Sequence, residues 1–434
     1  MDERYIKKWQ NKIFWYCWMA YAISYLCRSN VSIALTPMME QLGWDKTQAG
    51  MIGTVFFWVY ALGQLVNGYL GDKISPKYYM ITGMAVTMAA NLAMGFTNSL
   101  GLAVFFWGLN GFGLSMLWGP VMRMITQWFA PEQRGNVIIL SFSSIAGFFV
   151  AWGLLGALLS VISWRWAFWI PSAVMALFAI LWTFQVKNNP TQVGMIDYST
   201  SKEPASTASP DKNPPIGDRP AVNIKLTTLI LREGLILVSC MCLIQGFIKE
   251  SISYWTPTIL SESAGSLGSQ IASLFSVILP LANIFGIFFL GWCNKRFGYQ
   301  SKRPLKILLL LCILSGLCLL LFYRNFWCIV VFMSLLSTLM HGVNTVLLSF
   351  IPLAFAKYNK ISGISGFLNF TCYMGATIGG VLSGFMSDRL GWSGVFTVWL
   401  LTAMACLGIF FVYDTFSKKR ERSAATSVNA STRT

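Results

Sequence analysis

Apolar runs long enough to cross about 30 Å of hydrocarbon recur twelve times along this chain of 434 residues. They cover approximately 13–38, 48–71, 77–97, 99–129, 135–163, 164–186, 234–260, 270–292, 305–323, 326–355, 361–386 and 392–416. A water-facing domain carries about 25% charged residues; here only 11% are charged and 55% are hydrophobic. Too few polar side chains exist to cover a solvated surface of this size. The composition therefore excludes a soluble enzyme, a disordered chain and a small disulfide scaffold. It predicts an all-α membrane protein whose lipid-facing helices satisfy their own backbone groups.

The charges lie in the gaps between runs. Of the 32 Lys and Arg residues, 25 fall in alternate gaps and the two tails, and four (Lys46, Arg165, Arg324 and Arg389) fall in the other gaps. This asymmetry predicts that both termini face the cytoplasm. The net charge of +16 is spread over these gaps and does not form a nucleic-acid-binding face. The polar start MDERYIKKWQNK, followed by a long run containing an arginine, is unlike a signal peptide, so none is expected. That favours a bacterial inner membrane. The ten cysteines form no CxxC pair and are expected to be reduced packing residues.

The longest polar stretch, rich in Pro, Ser, Thr and Asp, divides six runs from six. It reads as a flexible cytoplasmic linker over 187–225, between a six-helix bundle over 1–186 and a second over 226–434 with a basic tail. The halves echo one another weakly. Arg28 precedes Pro37 in the first run and Lys249 precedes Pro257 in the seventh. Two pseudo-symmetric six-helix halves with a midplane site between them is a transporter plan. The glycines of the eleventh run, among them Gly375, Gly379 and Gly380, predict close backbone packing.

Three cations, Arg28, Arg123 and Lys249, fall within runs. A cation at the bilayer centre costs about 2.5–3.5 kcal/mol on insertion scales, so each requires a reason. Arg28 and Lys249 each lie fifteen residues into their runs, which places them at similar depth. As two unpaired cations they would repel, and an anion between them would relieve that. Phosphate suits the pair, because arginine can hold two of its oxygens while lysine acts as a point charge. Tyr21 and Tyr25 share a helix face with Arg28, and Gln245 and Ser253 share one with Lys249. Glu250, the only mid-run carboxylate, is adjacent to Lys249 and is expected on another face. It reads as a proton-coupling group or as a structural partner for Arg123 or another polar group. His341 is the only histidine and a candidate cavity residue, with Asn344 one turn on. Asp72 and Lys73 end the second run and are expected to hold a gate; Asp388 ends the eleventh. No P-loop, metalloprotease or hydrolase motif is present, so neither an enzyme nor a cofactor is expected.

Several segments carry a family resemblance. They are Tyr21-x3-Tyr25-x2-Arg28-x-Asn30, the Gly68-x-x-x-Asp72-Lys73 loop, and Trp118-Gly-Pro120-x2-Arg123-x4-Trp128-Phe-x2-Glu132-x-Arg134-Gly135. Asn189-Pro190-x-Gln192-x-Gly194 and Tyr254-Trp255-Thr256-Pro257 complete the set. Together they resemble the major facilitator superfamily, and within it the organophosphate:phosphate antiporter family, over nearly the whole chain. The resemblance implies that the phosphoryl group of a sugar phosphate or glycerol phosphate binds Arg28 and Lys249, with Tyr21 and Tyr25 beside it. It also implies exchange for inorganic phosphate by a monomer in the lipid bilayer. The histidine that bacterial glycerol-phosphate carriers often place in the fifth helix has no counterpart in Ser141-Phe-Ser-Ser-Ile145-Ala-Gly147, while His341 lies near a tyrosine of some members. A proton-coupled symporter of a non-phosphorylated organic anion, and a membrane sensor of sugar phosphate, remain as alternative readings.

Overall fold

The structure, a computed structural model, describes residues 3–129, 137–159, 161–197, 234–265, 268, 274–286, 302–351 and 361–431. Among the described residues all regular structure is helical. Helix α1 (Glu3–Leu42) begins at what we call the terminal face and ends at the far face; α2 (Lys46–Lys73) returns. Then come α3 (Pro76–Met94), α4 (Leu100–Ser115), α5 (Trp118–Trp128), α6 (Val137–Phe149) and α7 (Trp166–Gln185). The later part holds α8 (Leu235–Glu262), α9 (278–286), α10 (Lys302–Leu321), α11 (Phe326–Thr345) and α12 (Ile361–Ser431). Each of the twelve expected spans contains at least part of one of these elements, and among the described residues seven helices are long and apolar enough to cross a membrane.

Local chemistry sets the breaks. Asp45 and Gln48 form a reciprocal capping box at the start of α2, Pro76 opens α3, and the Asn325 side chain caps α11 by accepting from two backbone N–H groups. The expected fourth span is divided into α4 and α5. Pro120 has no N–H for the Met116 carbonyl, and its ring crowds that carbonyl, so the turn at 116–117 interrupts the helix. Within α12, Gly391 has φ 67°, a left-handed conformation that costs a Cβ-bearing residue. It splits α12 into two arms that correspond to the eleventh and twelfth runs. Residues 187–197 begin the expected flexible linker yet are folded. Pro190–Val193 is a 3₁₀ turn capped by Asn189, whose amide also donates to Asp197 at 2.9 Å.

A polar core ties α1, α3, α4 and α7 together. Fully buried Asn30 donates to Asn91 and to the Ala167 carbonyl, both at 2.8 Å, and Asn110 donates to the Cys27 carbonyl at 2.9 Å. In hydrocarbon such groups need protein partners, and here they set the relative positions of four helices. In the later part, α8 and α12 touch backbone to backbone: a Cβ on Gly375 would collide with the Leu243 carbonyl oxygen, as the glycine-rich run predicted.

Two of the contacts between the earlier and later helices bear on the site. One sets α1 against α8, where Ser32 donates to the Ser253 carbonyl at 3.4 Å and Thr36 to Thr258 at 3.3 Å. The other sets α2 against the first arm of α12. There Thr54 donates to the Thr377 carbonyl at 2.8 Å, and Asp388 accepts from the Thr47 backbone at 2.8 Å.

Candidate functional site

The α1–α8 crossing brings the two expected cations to one carboxylate. Arg28 Nη2 lies 3.3 Å from Glu250 Oε2, and Lys249 Nζ lies 2.9 Å from Glu250 Oε1. The three side chains are 9%, 14% and 7% exposed for Arg28, Lys249 and Glu250 respectively. Formal charges leave the trio at +1. One small anion can therefore reach both cations, because one carboxylate already does.

This geometry corrects two expectations. Arg28 and Lys249 are not an unpaired, repelling pair, because Glu250 bridges them. Lys249 and Glu250 also meet despite their adjacency on α8. The two Cβ atoms diverge, but lysine carries its ammonium on a flexible four-carbon stem, and that stem spans the divergence. Glu250 is accordingly the structural partner of Arg28, not of Arg123. Arg123 donates to the Ile74 carbonyl at 2.9 Å, at the end of α2 where helix carbonyls lack intrahelical donors. It thus belongs to the terminal face and not to the midplane.

Among the described residues, five aromatic rings surround the Arg28 guanidinium. Its Cζ lies 5.1 Å from the Tyr60 ring centre and 5.4–5.7 Å from those of Phe57, Tyr25, Phe56 and Tyr373. Such contacts contribute about 0.5–2 kcal/mol each according to desolvation. They fix the fork in place while leaving its donors for an anion. Tyr25 is thus beside Arg28, as expected. Tyr21 lies one turn away, edge-on to Tyr25 at 5.1 Å and tilted against Trp118 at 4.6 Å. Below the cage, Asn369 donates to Gln64 at 2.9 Å and Gln64 to the Tyr60 hydroxyl at 3.0 Å. A cavity of about 20 Å³ is bordered by Arg28, Ser32, Phe57, Glu250 and Ser253. That is room for about one water, and too little for a phosphate.

The remaining expected residues are distributed as follows. Gln245, like Lys249, does not border this cavity. It is 1% exposed, donates to the Met340 carbonyl at 3.3 Å and accepts from Cys372 Sγ at 3.1 Å. A step of four residues rotates the helix by 400°, and the 40° offset turns its amide into the interior. His341 is partly exposed. Its Nδ1 lies 2.9 Å from the Ser337 carbonyl, which can only accept, so Nδ1 carries a hydrogen. His341 is within electrostatic reach of Lys249 and Glu250. The side chains of Asp72 and Lys73 lie outside the described residues, as do Asn294 and residues 198–233. Asp388 is placed: both its oxygens cap the start of α2.

A sequence profile of the Major Facilitator Superfamily matches residues 17–373. The chain belongs to this superfamily. It is a membrane transporter by family and fold, not an enzyme. It is 24% identical to a "Probable hexose phosphate transport protein" of Chlamydia pneumoniae over 98% of this chain and 96% of the relative. It is also 24% identical to the "Glycerol-3-phosphate transporter" of Bacillus subtilis (strain 168), over 96% and 94% respectively. Among solved structures, a bacterial homolog of the human lysosomal transporter Spinster, inward-facing and occupied, superposes with a TM-score of 0.71. It covers 95% of this chain and 97% of the other at 14% identity, which shows the shared fold.

Within this Major Facilitator fold, the sequence reading missed Phe56, Phe57 and Tyr60 on α2 and Asn369 and Tyr373 on α12. A signal for some of them was available. Tyr60 and Gln64 are four apart, as are Asn369 and Tyr373, and each pair puts polar groups mid-run on one helix face. Which two helices face each other is not written in either pattern alone.

Proposed function

We propose that this transporter carries a small phosphorylated organic anion, a sugar phosphate or glycerol phosphate, in exchange for inorganic phosphate. The observation that carries the reading is the joint grip of Arg28 and Lys249, on helices from the two parts of the chain, on a single carboxylate. A phosphoryl group offers more oxygens than that carboxylate and up to two negative charges. It can take both donors of the Arg28 fork and the Lys249 ammonium, and so displace Glu250. The relatives named for phosphorylated sugars and glycerol support this substrate class. We assign Tyr25, whose ring lies against Arg28, and His341 to the organic part.

The cavity is smaller than the substrate, so α1 and α8 must part to admit it. Among the described residues, Thr36–Thr258, Thr47–Asp388 and Gly50–Gly380 hold the earlier and later helices together toward the far face, which supports entry from the terminal face. Charge asymmetry among the gaps assigns the terminal face to the cytoplasm, with the carrier working as a monomer in the inner membrane. Reconstituted vesicles loaded with labelled phosphate test the reading. Exchange against external phosphate and phosphate esters is expected, and Arg28→Ala should abolish it. Uptake that follows an imposed pH gradient and ignores internal phosphate would instead indicate a symporter. Thermal stabilisation by phosphate esters without any exchange would indicate a sensor.

A further inference from the structure

The position of Glu250 raises a question that substrate binding does not answer. The carboxylate lies between the two groups that grip the cargo, and it belongs to the protein. It reaches Arg28 across the crossing and Lys249 on its own helix, and it is buried. Around it the crossing is closed by Ser32 on Ser253 and Thr36 on Thr258, and the adjoining cavity holds about one water.

We infer that Glu250 is a built-in countercharge that stands in for the cargo anion, so that the unloaded carrier can reorient and the protein performs net flux as well as exchange. The inference rests on the reading of the Arg28–Lys249 site given above. Two buried cations with no internal partner would make closure of α1 on α8 depend on a foreign anion. Only loaded carriers would then cross, and transport would be strict one-for-one exchange. With Glu250 bridging the pair, the crossing holds a formal charge of +1 and each cation has an anionic partner. The five rings around Arg28 stabilise its positive charge through their electron-rich faces. The loaded and unloaded forms thus present the same contact to the crossing: two cations gripping one anion, supplied by the cargo in one case and by α8 in the other.

The ratio of net flux to exchange tests this directly. Vesicles holding wild-type protein and labelled phosphate, with potassium and valinomycin to clamp the potential, are diluted into phosphate-free or phosphate-containing medium. Release into phosphate-free medium is expected within about tenfold of release into phosphate, a rate ratio equivalent to 1.4 kcal/mol. In Glu250→Gln the amide fills the same space without the charge. The ratio should fall about 100-fold further, the size expected for an uncompensated cation within the membrane. Glu250→Asp, which keeps the charge on a shorter arm, should hold the ratio nearer to wild type and controls for misfolding. Wild-type protein that exchanges phosphate but releases none into phosphate-free medium would overturn the inference, as would a Gln variant with the wild-type ratio. Absence of release into either medium would overturn the reading of the site itself, and this inference with it.

Discussion

The α1–α8 and α2–α12 crossings are built from different materials. At α1–α8 the contact is made by side chains: Arg28 meets Glu250 beside Lys249, with two hydroxyl hydrogen bonds above them. At α2–α12 the backbones themselves approach. A Cβ on Gly50 would collide with the Gly380 carbonyl oxygen. Thr54 bridges to the Thr377 carbonyl and the Val381 N–H, and Asp388 caps the first turn of α2. At the far face Lys46 pairs with Glu262 at 2.8 Å, and the Trp392 indole N–H donates to the same carboxylate. An anion can replace a carboxylate between two cations, but no small solute can replace a backbone approach. We accordingly assign the first crossing to the cargo, and the second, with the α2–α8 ion pair, to holding the far face shut.

The largest effect should come from Arg28→Ala. It removes the ion pair across the first crossing and leaves a buried carboxylate with one partner, a change that costs about 3–5 kcal/mol in buried pairs. Phosphate exchange in vesicles should fall at least about 100-fold; exchange within a few fold of wild type would break the proposed role of the first crossing. Next comes Gly50→Val, which forces α2 away from α12 without touching a charge. A cysteine introduced at Thr54 should then react faster with an impermeant thiol reagent, by about tenfold for a 1.4 kcal/mol shift in the closed population. Unchanged reactivity would show that glycine contact does not hold the far face. Glu262→Gln should matter less. The Lys46–Glu262 pair is partly exposed, and such pairs contribute about 0–1 kcal/mol. Its small drop in melting temperature should shrink further at high salt. Ser32→Ala should be the mildest, since it removes one 3.4 Å hydrogen bond. Exchange should stay within about threefold, matching a net 0.5 kcal/mol per bond; a larger loss would move the hydroxyl seam from packing to mechanism.

Much of this architecture is legible before any coordinates. The lipid thickness sets run length, so the spans emerge from hydropathy, and even the Gly391 break lies in the gap between two runs. Arg28 and Lys249 could be matched in depth because both helices enter from one face at a common rise. The environment of those cations was less accessible. Treating α8 as rigid spokes separated Lys249 from Glu250, whereas lysine's reach lets neighbours pair. The same rigidity placed Gln245 in the cavity, where a 40° offset and the need of a buried amide for protein acceptors turn it inward. Tyr60 and Tyr373 come from helices more than 300 residues apart in sequence, and the pairing of α2 with α12 depends on glycines whose partner helix no single-strand periodicity names.

The central claim is that Arg28 and Lys249 grip the same anion, and a double-mutant cycle on phosphate-ester binding tests it most directly. Arg28→Gln and Lys249→Gln, alone and together, would be titrated with a phosphate ester by thermal stabilisation of the purified protein. A shared anion predicts coupling of about 0.5–3 kcal/mol between the two losses. Losses that simply add, or an ester that still binds the double variant at wild-type affinity, would contradict the account.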